Sequence, residues 1–260
     1  MELDALDRIA AEAFPGSVVR KDLALKFKGQ YPVPTYVGEF LLGRYCASTI
    51  ESEIAEGLAI VQAQLQDRTV RAGDEELFKS RAREKGRVKL IDLVTAKLDA
   101  ATDSYMVTLP GMRLSNVRIP TQMVTDNERM LTGGFYAELE LEYDAAISEE
   151  SKGRPFGIVS LRPIQLSRRD VLDVVARGRA AFTSDEWREF LLRSVGFEPA
   201  ALPERARDVL LLRMVPFVER NYNMVELGPR GTGKSHLFQQ VSPYSHLVSG
   251  GKATVAKMFV

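Results

Sequence analysis

A strict alternation of apolar and polar side chains between residues 135 and 144 is the clearest pattern in this chain. One face carries Phe135, Ala137, Leu139, Leu141 and Tyr143, and the other carries Tyr136, Glu138, Glu140, Glu142 and Asp144. A period of two predicts a β-strand with one buried and one solvated face. Solvent exposure therefore explains the acidic side chains better than a metal-binding or acid–base role does.

Four further β-rich runs surround this strand, at residues 88–100, 103–110, 114–120 and 156–164. Together the five runs predict an antiparallel β-rich domain over residues 87–166. Five strands in such a span suit a small barrel of the OB type, although a sandwich fits the periodicity equally well. The aromatic residues Tyr105, Phe135, Tyr136 and Tyr143 are open to two interpretations, as stacking platforms for nucleic-acid bases or as barrel core.

Apolar residues recur at helical spacing before and after the β-rich domain. The spacing predicts an N-terminal helix that stops at Pro15-Gly16, then two helices or one broken helix between Val37 and Leu65. A charged helix is predicted from Asp74 to Lys85. Beyond the β-rich domain, Ser167-x-x-Asp170 and Thr183-x-x-Glu186 both match the capping box that opens a helix.

Composition adds little to this picture, but it narrows the classes of function. Of the 260 residues, 27% are charged, and 35 basic residues balance 35 acidic ones, so net charge indicates no nucleic-acid or membrane partner. With Cys46 as its one cysteine, and only His236 and His246 besides, the chain offers no disulfide framework and a poor zinc ligand set. A signal-peptide pattern and a run of roughly 18 apolar residues are both missing. We therefore expect a cytoplasmic protein without a membrane partner.

One motif carries recognisable chemistry. Residues 228–235 match the pattern G-x-x-x-x-G-K-[ST] at every fixed position. They are Gly228, Pro229, Arg230, Gly231, Thr232, Gly233, Lys234 and Ser235. The glycines let the backbone direct several N–H groups at one anion. Lys234 would reach the β- and γ-phosphates of ATP, and the Ser235 hydroxyl would bind Mg²⁺. A strand over residues 222–227 and a short helix over residues 234–241 are predicted to flank the loop.

The sequence after this loop lacks what ATP hydrolysis needs. Such enzymes use a later acidic residue that holds Mg²⁺ and polarises water, together with a sensor residue. The 25 residues after Ser235 contain neither Asp nor Glu. We therefore expect a fragment that is cut inside its nucleotide-binding domain, that holds no catalytic residue and that cannot hydrolyse ATP by itself.

The predicted fold class is an α+β N-terminal region followed by the start of an α/β P-loop domain. Four segments are expected: a helical segment over 1–86, the β-rich domain over 87–166, a helical connector over 167–219 and an incomplete ATPase domain over 220–260. In this division the alternating β-rich pattern separates two helical stretches, and the phosphate loop belongs to the last segment.

The loop and its surroundings are similar to a known family. The run VELGPRGTGKS, followed by SPYS and SGGK, closely resembles the start of the ATPase domain of BrxL, the Lon-like family of BREX phage-defence systems. Upstream, GRPFGIVSLRPIQLS resembles the N-terminal domain of that family, so the resemblance spans essentially the whole chain. On the family's pattern, the residues that bind nucleotide are Gly228, Gly233, Lys234 and Ser235.

This resemblance implies a bacterial or archaeal AAA+ protein that forms homo-oligomeric rings, acts on DNA and works beside other BREX components. The Lon-like region of the family lies beyond Val260, and no peptidase Ser–Lys pair can be assigned in this chain. We expect an AAA+ ATPase subunit that couples ATP hydrolysis to DNA handling in phage defence. One alternative is an oligomerising DNA-binding module whose nucleotide site does not function, and another is an ATP-dependent Lon-like protease in the full-length protein.

Two basic stretches are candidate contacts for DNA. The first comprises Lys79, Arg81, Arg83, Lys85, Arg87 and Lys89, and the second comprises Arg168, Arg169, Arg177 and Arg179. Cations of this kind neutralise backbone phosphates with little regard to base sequence. The alternative for each stretch is a solvated helix surface whose cations complement the helix dipole. Residues 121–150 are mostly acidic among their charged positions and should repel DNA.

Overall fold

The computed structural model describes residues 4–15, 17–48, 50–150, 154–164, 171–242 and 245. Contacts divide these residues into two units. The described parts of Met1–Lys26, Glu39–Ala59 and Ser167–Leu247 form the helical unit, and those of Phe27–Gly38 and Ile60–Leu166 form the barrel unit. Each unit gathers separate stretches of the chain, whereas the sequence predicts four consecutive segments. Those four boundaries stay a prediction.

The described part of the chain contains eleven α-helices. In chain order they are α1 (Ala5–Ala13), α2 (Lys21–Phe27), α3 (Thr35–Tyr45), α4 (Glu51–Arg68), α5 (Glu75–Lys85), α6 (Thr121–Thr125), α7 (Ala145–Glu150), α8 (Val171–Arg179), α9 (Ser184–Ser194), α10 (Glu204–Met214) and α11 (Lys234–Gln240). Short 3-10 turns occur at Glu128–Leu131, Pro199–Ala201 and Val215–Phe217. The helical spacing between residues 37 and 65 thus belongs to two separate helices. Of the helices described, none combines the length and the apolar character that crossing a bilayer requires.

Five strands close into a barrel. They are β1 (Arg87–Asp99), β2 (Ser104–Leu109), β3 (Leu114–Arg118), β4 (Phe135–Tyr143) and β5 (Phe156–Pro163), in the order β1-β2-β3-β5-β4. All five predicted strands and the α+β class are confirmed. Because the sheet closes on itself, the domain is a barrel and the alternative of a sandwich is excluded. The expectation of purely antiparallel pairing is wrong, because β3 and β5 pair in parallel at Arg118 and Gly157. An odd number of strands cannot alternate in direction all the way around a closed ring, so one pair has to be parallel.

The alternation that predicts β4 corresponds to the inside and outside of the barrel. Phe135, Ala137, Leu139 and Leu141 are buried, and the residues between them are partly exposed. They pack with inward-facing residues of the other strands, among them Leu90, Val94, Val107, Leu109 and Ile158. Of the candidate stacking platforms, Phe135 lies in this core at 1% exposure.

The acidic outer face of β4 is paired with cations from neighbouring elements. Glu138 accepts a hydrogen bond from Arg68 at 3.2 Å. Glu142 lies 4.0 Å from the Arg87 guanidinium and 3.9 Å from that of Arg118. This strip is therefore a solvated and charge-compensated surface.

A buried carboxylate ties β1 to the turn between β2 and β3. Asp92 is 5% exposed, and its two oxygens accept hydrogen bonds from the backbone N–H of Gly111 at 3.0 Å and of Met112 at 3.1 Å. A Cβ at Gly111 would lie 2.9 Å from this carboxylate, so the close approach requires glycine. Burial raises the pKa of Asp92, and these hydrogen bonds offset only part of that rise. A second contact attaches the same turn to α5, because Arg113 forms an ion pair with Glu75 at 3.0 Å.

In the helical unit, α1, α8 and α9 meet around an aromatic cluster. Phe14, Phe182, Trp187 and Phe190 stack or cross with ring centroids 5.1–6.3 Å apart. The capping box of α9 is confirmed, because the Thr183 hydroxyl accepts from the Glu186 N–H at 3.3 Å and the Glu186 carboxylate accepts from the Thr183 N–H at 2.8 Å. The box predicted at residues 167–170 lies outside the described residues.

Candidate nucleotide-binding loop and basic surfaces

The loop of residues 228–235 lies in the helical unit between an irregular segment and α11. Residues 222–229 have no regular secondary structure, so the prediction of a strand over Tyr222–Leu227 is wrong. Strand backbone groups need ladder partners, and the described part of the helical unit contains no strand that supplies them. Val225 and Leu227 are accordingly 85% and 90% exposed. The helix predicted after the loop is confirmed as α11.

Two glycines set the path of the loop. Gly231 and Gly233 have φ angles of 80° and 73°, in the left-handed region that residues with a Cβ disfavour. Gly233 also occupies the N-cap position of α11. The glycines of the motif therefore meet a requirement of the backbone at these two positions.

The ammonium group of Lys234 contacts the loop itself. Its Nζ donates to the carbonyl oxygen of Gly228 at 3.1 Å, to the hydroxyl of Thr232 at 2.9 Å, and to the carbonyl oxygen of Pro229. The Thr232 hydroxyl in turn donates to the Pro229 carbonyl at 3.1 Å. A single positive charge is thus held against the curved backbone, while the neighbouring Arg230 and Ser235 are exposed to solvent.

Helix α10 and the 3-10 turn after it hold both sides of this loop. Arg213, which is 6% exposed, donates from Nε to one oxygen of Glu226 at 2.9 Å and from its terminal nitrogen to the other oxygen. Phe217 stacks on Phe238 of α11, with ring centroids 5.1 Å apart and an interplanar angle of 30°. No sequence pattern predicts these contacts, since the only signal for Arg213 is a charge inside the apolar run LLLRM.

The first basic stretch does not form one continuous surface. Lys79 is ion-paired with Glu76 at 2.7 Å, and Arg87 lies beside Glu142. On α5 the remaining cations separate, because residues two apart are about 200° apart around a helix. Arg83 therefore shares a side with Lys79, whereas Arg81 and Lys85 lie on the other side.

Besides Arg87, four cations of this stretch are exposed: three lie on α5, and the fourth is Lys89 of β1. Arg81, Arg83 and Lys85 are exposed, and Arg81 also lies over the Phe78 ring at 5.5 Å. In the second stretch, Arg179 is engaged with the Phe182 carbonyl at 2.7 Å and lies over the Trp187 ring at 5.4 Å. Arg168 and Arg169 lie outside the described residues.

Comparison with known families places the chain in a class of ATPase-domain proteins. Residues 156–260 match the family described as Lon-like protease BrxL-like, ATPase domain. Residues 12–143 match the family described as BREX system Lon protease-like protein BrxL N-terminal.

Two relatives of known name agree with these family matches. The Lon-like protease BrxL of Escherichia coli O9:H4 (strain HS) is 45% identical over 254 residues, which cover 98% of this chain and 36% of the relative. The protein of the same name from Bacillus cereus (strain H3081.97) is 43% identical over 247 residues, covering 95% of this chain and 36% of the relative. The chain belongs to the BrxL family, and it spans about a third of the length of these relatives.

Proposed function

We propose that this chain is the N-terminal and phosphate-loop portion of an AAA+ ATPase, and that residues 228–235 bind ATP with Mg²⁺. The observation that carries the proposal is the position of Lys234, whose ammonium group lies against the carbonyl oxygens of Gly228 and Pro229. Left-handed Gly231 and Gly233 give the loop its curvature. The phosphate oxygens of a bound polyphosphate would replace these carbonyl oxygens as acceptors of the Lys234 hydrogen bonds.

The residues of the loop fit a magnesium nucleotide in charge and in donor type. Lys234 would neutralise phosphate charge, and the exposed Ser235 hydroxyl would contribute an oxygen ligand to the metal. Mg²⁺, when bound, would neutralise part of the phosphate charge. For the full-length protein we propose that it hydrolyses ATP, assembles into rings and works with other BREX components. We expect it to be cytoplasmic.

Replacing the loop lysine tests this proposal. In the protein encoded by the complete gene, Lys234→Ala should abolish ATP turnover, because the phosphates lose their main side-chain counter-charge. The measurement is steady-state phosphate release, with Lys97→Ala as a control that removes an exposed lysine of the barrel unit. Turnover by Lys234→Ala at the wild-type rate would rule out the phosphate loop.

We also propose that the barrel is of the OB type and that the protein handles DNA. Closed five-stranded barrels of that type bind oligonucleotides, and the exposed Arg81, Arg83 and Lys85 of α5 belong to the same unit. Arg168 and Arg169 are a second proposed contact. A binding module without ATPase activity remains the alternative, and the turnover measurement distinguishes the two.

The DNA surface is tested by the salt dependence of binding. Replacing Arg81, Arg83 and Lys85 together with Ala should weaken duplex binding. Because Arg83 lies on the other side of α5 from Arg81 and Lys85, the slope of affinity against salt should flatten by up to about 2, near one per lost phosphate contact. Fluorescence anisotropy at several salt concentrations measures both quantities on the full-length oligomer. The double variant Lys79→Ala/Arg87→Ala is the matched control, because these cations already face carboxylates. Wild-type affinity and slope in the triple variant would identify the surface as solvated helix only.

A further inference from the structure

We propose that Arg213 and Phe217 are positioning residues that hold the two ends of the nucleotide loop against a single helical element. The inference rests on the proposed function, since it concerns the loop that would bind ATP. Neither side chain belongs to the motif. Their role would be to preorganise the backbone that the motif provides, so that phosphate binding need not first order a mobile segment.

The first attachment lies immediately before the loop. Glu226 is separated from Gly228 by one residue, in the irregular segment that pairs with no strand among the described residues. The two-point contact from Arg213 fixes both the position and the orientation of the Glu226 carboxylate. Because the Arg213 side chain is 7% exposed and that of Glu226 is 27% exposed, breaking the pair would leave a guanidinium buried without its counter-charge.

The second attachment lies immediately after the loop. Phe238 is on α11, four residues after Lys234, and stacks on Phe217. Its neighbour Leu237 is 2% exposed, so this side of α11 is anchored by apolar contact. Since α11 carries Lys234 and Ser235, the stack sets where the ammonium and hydroxyl groups are presented.

Both attachments come from one short stretch of chain. Arg213 and Phe217 are four residues apart, near the end of α10 and in the 3-10 turn that continues it. The two residues therefore belong to one continuous helical stretch that runs from α10 into the 3-10 turn. One rigid element therefore determines the separation between the start and the end of the loop, although it contributes no atom to the loop.

Loss of either attachment should lower nucleotide affinity. If a freed loop adopts the binding-competent shape about one tenth of the time, the apparent Kd rises about tenfold. The effect would appear in nucleotide affinity, with the chemical groups of the motif unchanged. An ion pair or a stack that served global stability alone would instead change the melting temperature and leave the affinity of the folded protein unaltered.

The experiment is a titration of the full-length protein with a fluorescent ATP analogue and Mg²⁺, together with thermal unfolding of each variant. Glu226→Gln and Phe217→Ala should each raise the Kd about tenfold at temperatures well below unfolding. Arg213→Ala should do the same, and Glu226→Gln covers the case in which the buried alanine variant fails to fold. Arg207→Ala is the matched control, because Arg207 lies on the same helix and pairs with Glu189 at 3.6 Å.

Exchanging the two charges distinguishes an effect on loop position from a general loss of stability. The double variant Arg213→Glu/Glu226→Arg should bind the analogue more tightly than the weaker of its two single variants, since it restores an opposite-charge pair. Recovery of melting temperature without recovery of affinity would overturn the inference.

The Lys234→Ala variant separates this inference from the proposed function. If Lys234→Ala binds the analogue as tightly as wild type, the loop is not a phosphate site and the proposed function fails. If Lys234→Ala loses binding while Glu226→Gln and Phe217→Ala keep wild-type affinity, the proposed function stands and the positioning inference is wrong.

Discussion

Strand β4 of the barrel and the segment before the nucleotide loop are both rich in apolar residues, but only the first forms a strand. In the barrel, each strand hydrogen-bonds to two neighbours, and the alternating residues of β4 are buried. In the loop region, residues 222–227 also carry apolar side chains, but no strand of the described helical unit pairs with them and Leu227 is 90% exposed. An apolar run thus becomes a strand only where the chain supplies the partners for its backbone.

The largest difference between the two regions should appear when an apolar side chain is removed. Phe135→Ala should destabilise the barrel by about 3–5 kcal/mol, because it leaves a cavity in a closed core. Leu227→Ala should change the free energy of unfolding by less than about 0.5 kcal/mol, as expected for an exposed position. Urea unfolding measures both. A loss of more than about 2 kcal/mol in Leu227→Ala would mean that the segment before the loop is packed in solution.

Two glycines with positive φ angles sharpen the same comparison. Gly134, just before β4, has a φ of 70°, and a Cβ there would lie 2.5 Å from both the Val94 carbonyl oxygen and the Thr95 methyl group. Gly134→Ala should therefore cost about 3 kcal/mol, from backbone strain and overpacking together.

The matched substitution in the loop is Gly231→Ala. Gly231 has a φ of 80°, but apart from its two chain neighbours no described residue has an atom within 4 Å of the added Cβ. The strain should distort the loop locally and change global unfolding by less than about 0.5 kcal/mol. Urea unfolding of the two alanine variants, side by side, measures the contrast. Equal losses at both positions would show that the loop and the barrel resist strain to the same extent.

Local periodicity predicts much of this fold, because it reports which residues face a core. The alternation from Phe135 to Tyr143 marks β4, and the Thr183–Glu186 capping box marks the start of α9. Pairing is not local. The parallel contact between Arg118 and Gly157 joins residues that only barrel closure brings together, so no pattern within either strand indicates it.

The candidate site also has one part that local sequence predicts and another part that depends on non-local contacts. The motif predicts the loop, and the left-handed Gly231 and Gly233 match its spacing. The two attachments of the loop could not be predicted from a local sequence pattern. The Arg213–Glu226 pair, for example, joins a helix to an irregular segment 13 residues later. Whether the loop binds ATP, and whether the α5 cations bind DNA, stay predictions.

A smaller effect than those in the core and at Gly134 is expected at the buried carboxylate of the barrel. Asp92→Asn should destabilise the protein by about 1–3 kcal/mol, because an amide nitrogen cannot accept the hydrogen bond from the Met112 N–H. The cost should also depend on pH. The pKa of Asp92 is raised above its ordinary value of 3.8 by burial, so the folded protein binds this proton more tightly than the unfolded chain does. The stabilisation from that proton is complete below the ordinary value and is lost as pH rises through the raised pKa.

The advantage of wild type over Asp92→Asn should therefore shrink between about pH 4 and the raised pKa and stay constant above it. Asp99→Asn, in the same strand, is the matched control with the opposite sign. The hydrogen bond from Arg154, followed by one from the Ala101 N–H, lowers the pKa of Asp99, so its contribution is lost as pH falls. Urea unfolding of wild type and both variants across this pH range measures the two slopes. An advantage over Asp92→Asn that grows with pH would mean that the hydrogen bonds from Gly111 and Met112 outweigh burial at this carboxylate.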